Sequence, residues 1–261
     1  MASVIFKGRS VPICWASCLK HVYDGHKSRN AFEESLLLVL RSMIRDDQKV
    51  ILLADRGFGR TELTRFCQNN HFDYVIRINP DVQVRCSSYT GKLIDYPLHK
   101  GICKLLRSVA YRQHHSVTQN IVVRWVRNLP AKRDECWFPM SSLHAGPARI
   151  SRLYGQRMTI EELFRHHKSK RNGWSLRDTK ITRADRLDRL LLVLAIAYLL
   201  LCGIGLAALQ NCKPGQWTAS SKNDCSVFTI GRIMLTELAL SPAQAFQTLL
   251  TATADAVPEW G

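Results

Sequence analysis

The hydrophobic pattern changes character three times along the chain. In the first 80 residues, short apolar runs alternate with stretches of helical periodicity. Val4–Phe6 and Val11–Trp15 read as two strands on either side of the turn Lys7-Gly8-Arg9-Ser10. Phe32, Leu36, Val39, Leu40 and Met43 recur at helical spacing and predict an amphipathic helix over Arg29–Arg45. Val50–Ala54 is an unbroken apolar run, as expected of a strand buried on both faces. It ends at Asp55, after which Gly57 and Gly59 turn the chain into a helix of about ten residues from Thr61. Tyr74–Ile78 follows as a further strand. Together these segments predict a β-α-β unit with a carboxylate at the carboxyl end of its first strand, where open α/β sheets carry their sites. A turn or cap role accounts for an aspartate there equally well.

Over residues 81–145 helical periodicity gives way to short alternating segments, such as Val82–Cys86 and Ile121–Arg127, broken by Gly, Pro, Ser and Asn. That is the pattern of β-hairpins. Tyr154–Lys168 then reads as one helix, with Leu153, Ile160, Leu163 and Phe164 as its apolar stripe. At 100° per residue, Tyr154, Arg157, Glu161 and Lys168 fall within an arc of roughly 60° on one face. As a solvated face this is an i,i+4 Arg–Glu pair worth a few tenths of a kcal/mol. Gly173 and Trp174 mark a break. Leu190–Leu209 follows without a charge, long enough to span a membrane, although the sign-alternating flank Arg183–Arg189 suits a helix entering a protein core. Ser241-Pro242 predicts the start of a short helix through Leu250, and Thr251–Gly261 a frayed end. There is no internal repeat, Walker loop or dinucleotide-binding fingerprint.

Charge narrows the function. The chain has 37 Lys and Arg against 21 Asp and Glu, for a formal net charge of +16 and a pI near 9.8. A balance of this kind points to a polyanion, most often nucleic acid. The excess is localised: residues 82–145 carry 10 basic and 3 acidic side chains, and residues 149–189 carry 12 and 5. In the first of these stretches Tyr89, Tyr96, Tyr111, Trp125 and Trp137 interleave with the cations, a mixture suited to phosphate contact and base stacking. Nine scattered cysteines without a CxxC pair argue for a reducing compartment and against a zinc site or disulfide framework.

The spacing Tyr154-x2-Arg157-x3-Glu161-x6-Lys168 resembles the signature around the last catalytic carboxylate of DDE transposases of the insertion-sequence-four (IS-four) family. Leu52–Phe58, LLADRGF, is similar to that family's segment around its second catalytic aspartate. The resemblance covers roughly residues 4–210. It implies an α/β fold with an RNase H-like mixed sheet flanked by helices and interrupted by a β-rich insertion. It further implies Asp55 and Glu161 as catalytic and metal-ligating carboxylates, and Tyr154, Arg157 and Lys168 as DNA contacts. Two Mg²⁺ (or Mn²⁺) ions would serve such a site, stabilising the entering and leaving oxygens of phosphodiester cleavage and strand transfer. The implied partners are double-stranded DNA, as transposon ends and target, and a second copy in a synaptic homodimer. The setting would be the cytoplasm, associated with the nucleoid.

The family's first aspartate, in a D-x-T or D-x-S pattern, lies upstream of the strand that GRSVPICW resembles. Here the first aspartate available is Asp24, beyond that strand, so an N-terminally truncated transposase is expected. On this reading residues 1–80 form the first part of the catalytic core, without its first strand, and 81–145 the insertion. Residues 146–210 form the second part of the core, with the glutamate helix and a buried apolar helix, and 211–261 a helical segment and tail. Three other readings stay open: a DNA-binding remnant that cannot cut, a protein anchored in a membrane by residues 190–209, and a generic RNase H-like nuclease.

Overall fold

A computed structural model describes residues 1–18, 26–111, 117–128, 133–170, 174–213, 215, 217–218, 225–237 and 247. The helix expected from Ser241, the tail, and the break at Gly173 lie outside these residues. The chain divides into two compact units, Ala31–Met158 and Met1–Asn30 with Thr159–Gly261.

The Ala31–Met158 unit is a mixed sheet between helices. Strand β3 (Val50–Ala54) pairs in parallel with β4 (Phe72–Arg77), from Val50 opposite Phe72 to Ala54 opposite Ile76. Helix α2 (Thr61–Asn69) forms the crossover that a parallel pair requires. The hairpin strands do not stand apart from this pair. The three-residue strand β10 (Pro139–Ser141) pairs antiparallel with both β4 and β8 (Val117–Asn128), which joins them into one sheet of eight strands. Beyond β8 come β7 (Cys103–Tyr111), β5 (Gln83–Cys86) and β6 (Tyr89–Lys92), while β9 (Arg133–Trp137) pairs with the far half of β8.

Side-chain alternation along these strands serves two layers. Val75 and Val122, with Ile51 and Leu53, pack against Ile150 and Tyr154 of helix α3 (Pro147–Gln156). On the opposite face Tyr74, buried beside Thr64 and Cys67 of α2, donates its hydroxyl proton to Gln119 Oε1 at 2.6 Å. Burial pushes both the Tyr74 phenol and the Cys67 thiol up to about 12. Strand β3 itself stands at the end of the strand order among the described residues, and Val50 to Leu53 are only half-buried, so the burial expected on both its faces is not met.

In the other unit β1 (Ala2–Phe6) and β2 (Arg9–Cys14) form a hairpin. Lys7 and Gly8, at φ 45° and 74°, make the two-residue left-handed turn that matches strand twist. Helix α1 (His26–Ser42) begins here and continues into the sheet unit. Helix α4 (Met158–Lys168) packs through Leu163 against Tyr198, Leu201 and Cys202 of α5 (Ala184–Asn211), with Phe228 of α6 (Val227–Glu237) closing the cluster. Residues 190–209, expected as a buried apolar helix with a membrane span as the alternative, thus include a buried face, Tyr198, Leu201, Cys202, Ile204 and Ala208. By length and composition the helix also meets the requirement for a membrane span, and Leu192, Val193 and Ile196 are exposed. All nine cysteines are free.

Helices α5 and α6 cross at two glycines. A Cβ at Gly205 would strike the carbonyl of Val227, and one at Gly231 the carbonyl of Leu201. Both obstructions are backbone, so a rotamer change cannot relieve them. Gly231→Ala is therefore expected to cost about 1–3 kcal/mol or more through forced separation of the helices, measured as a lower urea midpoint. A native midpoint would show that this crossing is looser than described.

Candidate functional site

Asp55 follows β3 directly. It stands in the extended region at φ −86°, and its Oδ1 accepts from the Gly57 amide at 2.9 Å, capping a single 3₁₀ turn over Arg56–Phe58. The carboxylate is exposed. Glycine at 57 keeps the space open, since a Cβ there would lie 3.2 Å from that same oxygen. The cap role and a ligand role are compatible, because a carboxylate has lone pairs for both.

Two buried contacts fix this turn. The Tyr111 hydroxyl donates to the Gly59 carbonyl at 2.7 Å. Arg60, with its side chain 11% exposed, reaches Glu33 at 2.8 Å and Glu34 at 3.2 Å on α1. Sequence reading missed Arg60 and named Tyr111 only among the aromatics suited to base stacking, whereas its ring is buried. Nothing local to Arg60 announces that adjacent glutamates 26 and 27 positions upstream will meet it.

The predicted single helix over Tyr154–Lys168 is a pair of helices. Gly155, a poor helix residue, precedes the break, and the Arg157 amide turns back to the Tyr154 carbonyl at 3.0 Å. Tyr154 therefore lies on α3, Arg157 at the junction, and Glu161 and Lys168 on α4. Tyr154 is 1% exposed, edge-on to Trp137 with ring centroids 5.1 Å apart, so its ring serves the core. Arg157, half-buried at the junction, lies over the Tyr154 ring at 5.7 Å. Glu161, in the first turn of α4, and Lys168, at its last residue, are exposed. Tyr154 and Arg157 belong with Asp55 to the sheet unit, Glu161 and Lys168 to the other.

Helix α4 is held in its unit by aromatic packing and one ion pair. His166 stacks on Phe228 at 4.5 Å, His167 lies against Trp174 at 5.2 Å, and Arg9 pairs with Glu162, the neighbour of Glu161. Burial, and then the adjacent His166, pulls the His167 pKa down from 6.5 to about 4.

Among the described residues no three His, Cys, Asp or Glu side chains group as metal ligands. Asp55 lies in the sheet unit and Glu161 in the other, and neither belongs to such a group among the described residues.

A mixed sheet flanked by helices, with an aspartate at the end of a parallel strand, defines an α/β protein of RNase H-like type. The family model described as Transposase DDE domain matches residues 17–200, and the chain belongs to that family. Its function is accordingly that of a transposase, which acts on DNA, and the family generally uses divalent metal ions. No curated protein matches the sequence.

Two outcomes follow from these contacts. Arg60→Met strands two glutamates of α1 and should cost about 3 kcal/mol, read from urea unfolding together with faster amide exchange at Gly57 and Gly59; unchanged exchange would contradict the pinning. The unfolded chain protonates His167 near pH 6.5 and the folded protein near pH 4, so this group's contribution is complete above 6.5 and falls as pH drops. The loss by pH 4 is about 3 kcal/mol, and His167→Asn should remove that part of the pH dependence. An identical acid profile in the variant would exclude it.

Proposed function

We propose that the protein is a transposase of the IS-four type in which Asp55 and Glu161 hold divalent ions, while Arg157 and Lys168 grip DNA phosphates. The observation that carries this is Asp55 itself: an exposed carboxylate at the end of a parallel strand, in a turn kept open by glycine and pinned from behind. The spacing of Arg157, Glu161 and Lys168 supports the same reading. Mg²⁺ or Mn²⁺ bound there would supply charge stabilisation for the entering and leaving oxygens of the phosphodiester.

The protein's own groups have separate duties. Asp55 keeps one oxygen on the Gly57 amide, which orients the other. The Arg157 guanidinium is suited to bidentate phosphate contact, and Lys168 to contact as a point charge. Tyr154, buried against Trp137, supports Arg157 from below rather than reaching DNA. In this proposal residues 1–80 and 146–210 supply the catalytic core, and 81–145 supply basic strands facing nucleic acid. The enzyme works as a homodimer on transposon ends and target DNA in the cytoplasm, at the nucleoid.

One observation favours a second reading, a DNA-binding remnant: no three His, Cys, Asp or Glu side chains group as metal ligands among the described residues. Cleavage separates the two. If the first reading holds, Mg²⁺-dependent cleavage of transposon-end DNA is lost in Glu161→Ala while binding stays largely intact. Arg157→Ala weakens binding and lowers the salt slope by about one. Salt-sensitive duplex binding with no cleavage in Mg²⁺ or Mn²⁺ identifies the remnant, and cleavage retained in Glu161→Ala removes that residue from the site.

A further inference from the structure

Arg124 is a half-buried cation inside the sheet unit. On β8 it stands directly between Cys103 of β7 and Trp137 of β9, and its guanidinium donates to Ser151 Oγ of α3 at 2.5 Å. Other sheltered guanidiniums of this unit meet carboxylates: Arg41 meets Asp46, Arg60 meets Glu33 and Glu34, and Arg77 meets Glu135. Arg124 meets none among the described residues. The surrounding sequence gives the reason. Strands β7 and β8 and helix α3 contain no Asp or Glu, and they add Lys104, Arg107, Arg127, Arg149 and Arg152; on β9 stand Asp134 and Glu135, the latter taken by Arg77.

A second deficit lies beside the first. The indole N–H of Trp137, the cross-strand neighbour of Arg124, is buried without an acceptor among the described residues. The Trp137 ring is braced edge-on by Tyr154, over which the Arg157 guanidinium lies. The Arg124 N–H groups not given to Ser151 reach solvent, whereas the Trp137 indole N–H is buried and orphaned among the described residues. Packing alone does not explain the charge, because a neutral side chain at 124 would fill the same space. An anion offering several acceptor oxygens in a geometry the guanidinium fork can match would supply a counter-charge.

We propose that the seam between β8, β9 and α3 is a binding site for a backbone phosphate of DNA, with Arg124 as its contact and the Trp137 ring as the wall beside it. The proposal rests on the DNA-acting reading above and extends the contact surface to a residue outside the Tyr154–Lys168 signature. The additional cations on β7 and α3 favour a polymer over a free anion, since they continue the positive charge beyond one phosphate.

The test uses the full chain and a fluorescently labelled duplex of about thirty base pairs, with affinity measured by anisotropy across a salt series. Arg124→Gln, which keeps a donor for Ser151 and loses the charge, should bind about tenfold more weakly, with a salt slope lower by about one. Arg124→Lys should restore the slope and only part of the affinity. Ser151→Ala removes the link to α3 and retains the charge, so its slope should be native; an equal loss there would mean that slope reports packing, and would overturn the assignment. Arg124→Gln binding with native affinity and slope overturns it too. So does Arg124-dependent uptake of inorganic phosphate with duplex binding unchanged, which would assign the seam to a free anion. If the unmodified chain shows no salt-dependent duplex binding, the DNA-acting reading itself falls, and the seam with it.

Discussion

The parallel pairing of β3 with β4 is the interaction on which the sheet unit depends. Parallel strands need a crossover and cover on both faces, and each requirement accounts for a neighbouring part of the chain. Helix α2 makes the crossover and buries Leu63 and Cys67. Helix α3 covers the other face through Ile150 and Tyr154. Because the chain must turn sharply from β3 into α2, Asp55 is left at the strand's carboxyl end with its backbone fixed and its carboxylate in solvent.

Precision at that corner comes from groups remote in sequence. Arg60 forks onto Glu33 and Glu34, and Tyr111 closes on Gly59 from a strand some fifty positions later. On α4 the corresponding work falls to stacked imidazoles and the Arg9–Glu162 pair, all one residue or more from Glu161. In both units the exposed carboxylate stands beside polar contacts that are only partly open to solvent.

What sequence could disclose was set by interaction range. Val50–Ala54, Asp55, the glycine turn and α2 were legible because an apolar run and two glycines act locally, and the structure follows these boundaries closely. The helix pair was misread because the apolar spacing of Leu153, Ile160 and Leu163 runs through the break at Arg157 without a change of period. Tyr154 looked like a surface contact because a phenol suits water and core alike, and only Trp137, 17 positions upstream, decides between them. Nor could sequence show that the hairpins extend the core sheet, since the joining strand is the three-residue Pro139–Ser141. That Arg124 meets no carboxylate among the described residues likewise becomes visible only when its cross-strand neighbours are known.

Family membership supplies the class of reaction, and the chain's own residues must supply its site. The central claim of the proposed function is that Asp55 and Glu161 are both ligands of the divalent ions the reaction needs. A double-mutant cycle on Mn²⁺ binding, followed by calorimetry with Asp55→Ala, Glu161→Ala and the double variant, tests this most directly. Shared ligation predicts that each single change weakens binding and that the double change adds little more, an interaction energy above about 1 kcal/mol. Losses that simply add, or Mn²⁺ binding indifferent to either carboxylate, would contradict it.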